Sequence, residues 1–271
     1  MPINRKSLQE LELGDIALIG YPWDTNSSFL RGPAAAPEKI IDAIESPSAN
    51  FYTERLHNLE EQANLVWLGN NHLDDFFDIE NTTKEILAMG ALPFGLGGDH
   101  SVTFPILKGV HAHHGPVTII QFDAHNDLYD DFEGNPYSHA SPFARIMERG
   151  LASHLIQVGT RTTTKHQMEQ AERFGVEIYP MGNLAELSLS SVKSPIYITF
   201  DLDVLDPAFA PGVSHHEPGG MSTREALEIL HQIKGRVVGM DIVEYNPDRD
   251  INGVTAMAAA KIAKEMIDLL L

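Results

Sequence analysis

Short apolar, β-branched runs alternate with amphipathic helical patterns along all 271 residues, and that alternation predicts an α/β fold. Two further observations support it. The apolar runs are continuous rather than two-periodic, as expected of parallel strands buried on both faces. The polar clusters fall just after the runs, at the carboxyl ends of strands, where ligands bind in such sheets. With 43% hydrophobic and 21% charged residues, the chain suits one large domain, 1–271, with a mostly parallel sheet covered by helices on both faces.

The expected strands are residues 16–20, 65–68, 92–96, 117–122, 155–158, 176–179, 196–200 and 237–240. Expected helices span 81–89, 103–114, 142–150, 164–174, 222–230 and 254–270. In the fifth of these, Ser222 and Glu225 have the spacing of a capping box.

Composition narrows the function. There is no cysteine, which excludes a disulfide framework and a thiolate metal site. No apolar run reaches the ~20 residues of a membrane span, and residues 1–10 lack an apolar leader core. The expectation is a soluble, cytoplasmic protein. The net charge of −19 disfavours nucleic acid and anionic membrane; it would draw in a cationic small molecule, although by itself it is explained by solubility alone.

Three clusters carry the chemistry. Gly97-Gly-Asp-His100 follows the third strand, and its glycines allow a tight turn into a helix. It lacks the Lys-Ser/Thr of a phosphate loop, so His100 reads as a metal ligand with Asp99 orienting it. Asp123, His125 and Asp127 stand at i, i+2, i+4 after the fourth strand, and Asp201 and Asp203 at i, i+2 after the seventh. In extended backbone each set faces one way. Four carboxylates and two imidazoles exceed what one tetrahedral zinc takes. They suit two divalent ions about 3.5–4 Å apart that activate a shared water. An oxygen-rich set with imidazole favours Mn²⁺, with Co²⁺ or Ni²⁺ also able to fill it.

Nearby residues supply candidate partners. His139 is a titratable group for a proton shuttle. Asn135 and the acids of 130–133 could meet the far end of a substrate, and Asp24, Asn26 or Arg31 could line a substrate entrance or simply hold the next helix start. Asp241 is a candidate support behind the ligands, and Glu244 could pair with a cation. His215 and His216 could line the cleft. His111, His113 and His114 sit late on a helix with no acid beside them and read as a solvated helix end.

Together these motifs resemble the ureohydrolase (arginase/agmatinase) family. Gly97–His100, Asp123-Ala-His-Asn-Asp127, Asp201-Leu-Asp-Val-Leu-Asp-Pro207 and Asp241-Ile-Val-Glu244 are similar to its signature segments, and Ser138-His-Ala-Ser-Pro-Phe143 to its catalytic-histidine loop. Residues 133–148 and 214–220 resemble the plant-type arginase branch, close to agmatinases. The resemblance implies a three-layer αβα sandwich with an eight-strand, mainly parallel sheet. It implies one metal on His100, Asp123, Asp127 and Asp201, and another on Asp123, His125, Asp201 and Asp203. It further implies hydroxide attack on a guanidinium carbon with Asp127 orienting, Glu244 pairing with the guanidinium, and His139 protonating the departing amine. The expected substrate is agmatine or L-arginine, with a lean to agmatine because no α-carboxylate site stands out. A trimer or hexamer is expected by the same resemblance. The alternatives are a guanidinobutyrase, a formimidoylglutamase or a non-catalytic member of the fold. A two-metal phosphoesterase is disfavoured by the missing cationic phosphate clamp.

Overall fold

Parallel strands cannot be joined by tight hairpins, so the chain returns through a helix after most strands. The computed structural model describes residues 3–190 and 192–271. Its strands are β1 (Asn4–Arg5), β2 (Ile16–Gly20), β3 (Leu65–Asn70), β4 (Leu92–Leu96), β5 (Val117–Phe122), β6 (Ala152–Val158), β7 (Glu177–Tyr179), β8 (Ile196–Asp201) and β9 (Val237–Val243). The helices are α1 (Ala36–Ile44), α2 (Asp78–Ala88), α3 (Thr103–His114), α4 (Pro142–Glu148), α5 (Lys165–Phe174), α6 (Thr223–Leu230) and α7 (Val254–Asp268).

The sheet runs β1-β3-β2-β4-β9-β8-β5-β6-β7, and every pairing in it is parallel. The eight expected strands are present, several extended by one to three residues. The ninth, β1, is an exposed two-residue edge strand with no apolar pattern. Helix α1 was not anticipated, although Ile40, Ile41 and Ile44 form its buried stripe. Ser222 caps α6 in a complete capping box.

Alternate strand residues build two cores. One packs β-face residues such as Leu18, Ile120, Phe122, Ile198 and Phe200 against α1, α6 and α7. The other packs Ala17, Ile19, Ile119 and Tyr197 against α2, α3, α4 and α5. The result is the expected three-layer sandwich. Phe122 and Phe200 stack at 5.2 Å in neighbouring strands. Each directly precedes an acid of the site, so the stacked pair fixes the bases of Asp123 and Asp201. Among the described residues, no helix is long and apolar enough to cross a membrane.

Candidate metal centre

Strands β4, β9, β8 and β5 are neighbours in the sheet, although β5 follows β4 in the chain. That jump in strand order opens a crevice beyond their carboxyl ends. The turn after β4 ends at His100, Asp123 follows β5, Asp201 closes β8 and Glu244 follows β9. Gly98 is needed in the turn, because a Cβ there would lie 1.7 Å from the Trp23 carbonyl oxygen. The close approach lets the Asp99 amide donate to that oxygen at 2.9 Å, which joins the loop after β2 to the crevice.

The acids and imidazoles converge in two sets, His100 with Asp123 and Asp127, and Asp123 with His125 and Asp203. Asp123 belongs to both. His100 Nδ1 lies 3.0 Å from Asp123 Oδ2, 3.1 Å from Asp127 Oδ2 and 3.2 Å from Asp201 Oδ2. None of these contacts has hydrogen-bond geometry, so a buried nitrogen is left without a bonded partner among three carboxylates. His125 Nδ1 lies 3.0 Å from Asp203 Oδ2 and 3.5 Å from Asp123 Oδ1. Backbone amides aim the acids: Asp203 N donates to Asp201 Oδ1 at 2.8 Å, and Ala124 N to Asp203 Oδ1 at 3.1 Å.

The electrostatics fit a cation-binding set. Burial, then the charges of Asp203 and Asp123, pushes the Asp201 carboxyl well up. Burial and Asp123 raise Asp127 to about 6. Burial opposes charge on His100 and His125, yet the surrounding acids hold both rings well above the usual histidine range. The raised acids mark a concentration of like charge that divalent cations would neutralise.

His100 is oriented from behind. Its Nε2 lies 3.0 Å from Thr199 Oγ1, which donates to Asp241 Oδ1 at 2.6 Å. Tyr197 and Thr103 also donate to Asp241, at 2.5 and 3.0 Å. Asp99, expected to orient His100, instead accepts from Ser101 and Ser27. As the first residue before a helical turn, its carboxylate satisfies the free amide of Ser101. Asp241 does take the supporting position expected of it.

Glu244 and Asp127 hold left-handed backbone, with φ of 64° and 51°, a conformation that acids adopt at a cost. Glu244 Oε1 accepts from the His100 amide at 2.9 Å and lies 2.8 Å from His139 Nδ1. Both bonds fall on one oxygen, so Oε2 is left to the cavity that Glu244 lines. Burial opposes the imidazolium of His139, but the Glu244 charge prevails and lifts the ring to about 9. The cavity holds about 240 Å³ and reaches from Asp127, Asp201 and Asp203 to Tyr129, Phe132, Thr164 and Gln167. Among the described residues, its lining includes no lysine or arginine.

Other expected residues serve different ends. Asn135 does not line the cavity. Its amide donates to Asn26 Oδ1 at 3.3 Å, and its oxygen caps Tyr137 N at 2.9 Å. Asp24 accepts from the Gly32 amide at 2.8 Å, and Asp130 turns to Gln170. His215 lines the cavity, 5.8 Å from the His125 ring and 5.3 Å from that of His139. His216 is turned away, 2.6 Å from the Pro211 carbonyl oxygen. Arg161 was missed altogether. Its guanidinium reaches the carbonyls of Gly159, Asp203, Val204, Leu205 and Glu217, tying the ligand turn after β8 to the His215 loop. All five acceptors are backbone atoms, so no residue pattern marks the contact.

A parallel sandwich with paired acid–imidazole sets at its switch point is the architecture of a ureohydrolase. The arginase family model matches residues 14–268. "Arginase 1, mitochondrial" of Oryza sativa subsp. indica is 46% identical over 270 residues, covering 92% of this chain and 79% of the relative. The human "Guanidino acid hydrolase, mitochondrial" is 34% identical, with 93% and 77% covered. The solved arginase from Medicago truncatula superposes with a TM-score of 0.89 at 43% identity, covering 93% of this chain and 86% of that one. The chain belongs to the arginase family, whose members are binuclear-metal hydrolases, and it is a ureohydrolase. One expectation is corrected. The rice and human relatives are named as mitochondrial, which points to an organelle and away from the cytoplasm. The absence of cysteine reports on redox state and is equally compatible with an organelle.

Proposed function

We propose that this chain is an arginase, hydrolysing the guanidino group of L-arginine to urea and ornithine, and that residues 1–271 act as one domain. The carrying observation is Glu244. Its Oε1 is committed to His100 and His139, while Oε2 is left beside the acid cluster for a planar cation. The choice of arginine over agmatine is supported by the similarity to plant arginases, and it replaces the lean to agmatine. The wall also answers the missing carboxylate clamp. Tyr129, Thr162, Thr164 and Gln167 offer neutral donors for an α-carboxylate, and Glu217 offers an acceptor for an α-ammonium.

His100, Asp123, Asp127 and Asp201 would hold one ion, and Asp123, His125, Asp201 and Asp203 the other. Mn²⁺ is our choice, and Co²⁺ or Ni²⁺ could substitute. The orphaned His100 Nδ1 and the like-charged acids fit such ions. Bound ions would neutralise the acids and activate water at neutral pH. Glu244 orients the guanidinium, Asp127 orients the attacking water, and His139 supplies the proton that lets nitrogen leave as an amine. Burial of these groups excludes bulk water and strengthens each contact. Family members are typically oligomeric, and we propose a homotrimer or hexamer, which sedimentation would test.

The deciding experiment compares L-arginine, agmatine, 4-guanidinobutyrate and N-formimidoylglutamate with the Mn²⁺-loaded protein. Urea and ornithine from arginine, at the highest kcat/KM of the series, are expected. No urea from any guanidine would overturn the assignment, and preference for agmatine would overturn the substrate.

A further inference from the structure

His139 is 7% exposed, and its two ring nitrogens have different neighbours. Nδ1 lies 2.8 Å from Glu244 Oε1, and Nε2 lies 2.8 Å from Ser28 Oγ. An ionised carboxylate only accepts, so Nδ1 keeps its hydrogen pointed at Glu244. Proton exchange is then left to Nε2. Ser28 itself is exposed and lines the cavity. Part of the ring is covered, and the ring also lines the cavity. His215 lies against it at 5.3 Å, and Phe29 packs on His215 at 5.4 Å. The His139 amide donates to Asn26 O at 3.1 Å, so the loop carrying Ser28 is fastened to the residue it serves. A hydroxyl both donates and accepts, which makes this one side chain a bridge between a buried ring and water.

We propose that Ser28 is the outer station of a proton relay that recharges His139 at each turnover. The inference rests on the proton-donor role given to His139 above. The imidazolium surrenders its Nε2 proton to the leaving nitrogen as the carbon–nitrogen bond breaks, and the bonding pair stays on nitrogen. The neutral Nε2 then accepts the Ser28 hydroxyl proton in the same step in which Ser28 Oγ is reprotonated, so no alkoxide forms. Ser28 Oγ takes a replacement from a water or buffer acid at the cavity mouth. Ring and hydroxyl are both restored, and the proton balance closes on solvent.

The test uses full-length, metal-loaded enzyme with Ser28→Ala and Ser28→Thr. Ser28→Ala lowers kcat about 10-fold or more, with KM and metal content held near wild type. Its kcat then climbs with the concentration of a small buffer acid at fixed pH and ionic strength, whereas wild type does not respond. Ser28→Thr keeps the hydroxyl and most of the rate. A merely structural role would raise KM and leave buffer without effect, which overturns the relay. So does a Ser28→Ala enzyme with wild-type kcat. If wild type itself hydrolyses no guanidine, the function reading falls and takes the relay with it.

Discussion

His100 and His125 each bring an imidazole nitrogen to about 3 Å of a carboxylate, yet one side chain is 1% exposed and the other 22%. Behind His100 stand Thr199 and then Asp241, a carboxylate with three hydroxyl donors. Behind His125 stands Glu217 at 3.5 Å, itself partly exposed and at the cavity wall. The first ring cannot turn without breaking a buried chain of bonds, and the second is held by one long contact. Partners behind a ligand set its tautomer and basicity, so the His100 half would be prearranged for an ion and the His125 half would yield. Unequal binding of two ions should follow, the deeper one tighter.

The strongest way to break this contrast is Asp123→Ala. As the acid common to both sets, its loss should remove both ions and lower activity by well over 10²-fold, read by metal analysis alongside urea release. Retention of either ion at full occupancy would refute the shared role. His139→Asn lies outside both halves and should cost roughly 10²–10⁴-fold in kcat with two ions still bound. Loss of metal there would show the histidine to be misassigned. Asp241→Asn and Glu217→Gln sharpen the contrast directly. The first should weaken the deep ion by about 10–100-fold in Kd, and the second should weaken the outer ion by less, both read by competition with a chelating dye. Equal effects would mean that the halves are equivalent.

The smallest expected effect calibrates stability far from the centre. Hydrogen bonds from Arg224 lead in holding Glu54 down to about 2, against a small burial penalty. A depressed carboxyl stabilises the fold above its unfolded value of about 4.3, and that contribution fades as pH falls toward 2. Because solvent screens the pair, Glu54→Gln should cost under about 1 kcal/mol at pH 7 and nothing measurable near pH 2, read from thermal melts.

The convergence of acids and imidazoles was legible because such side chains at i, i+2 after an apolar run have few structural excuses, and two such sets, with His100 after a third run, pointed at one another. The central strands were legible for the related reason that burial on both faces leaves an unbroken apolar record. Strand β1 left none, being two exposed residues at an edge. Helix α1 did leave one, since Ile40, Ile41 and Ile44 behind Pro37 form a buried stripe at helical spacing. The supports were the hardest to read. Thr199 sits inside a strand where a β-branched residue needs no explanation, and its service to His100 depends on which neighbour lies across the sheet. Arg161 recognises carbonyl oxygens alone. Asn135 misled because polar loop residues near a site resemble substrate contacts, whereas this amide staples one loop to another.

The left-handed backbone at Asp127 and Glu244 has an evolutionary reading. Glycine or asparagine would sit at these positions with less strain, of the order of 1 kcal/mol each. A lineage released from catalysis should therefore drift first at Asp127, toward glycine, because at Glu244 the same exchange would leave the buried His100 amide without its acceptor. At Asp127 inactivity and robustness would then rise together, and that position would record when selection for turnover ended.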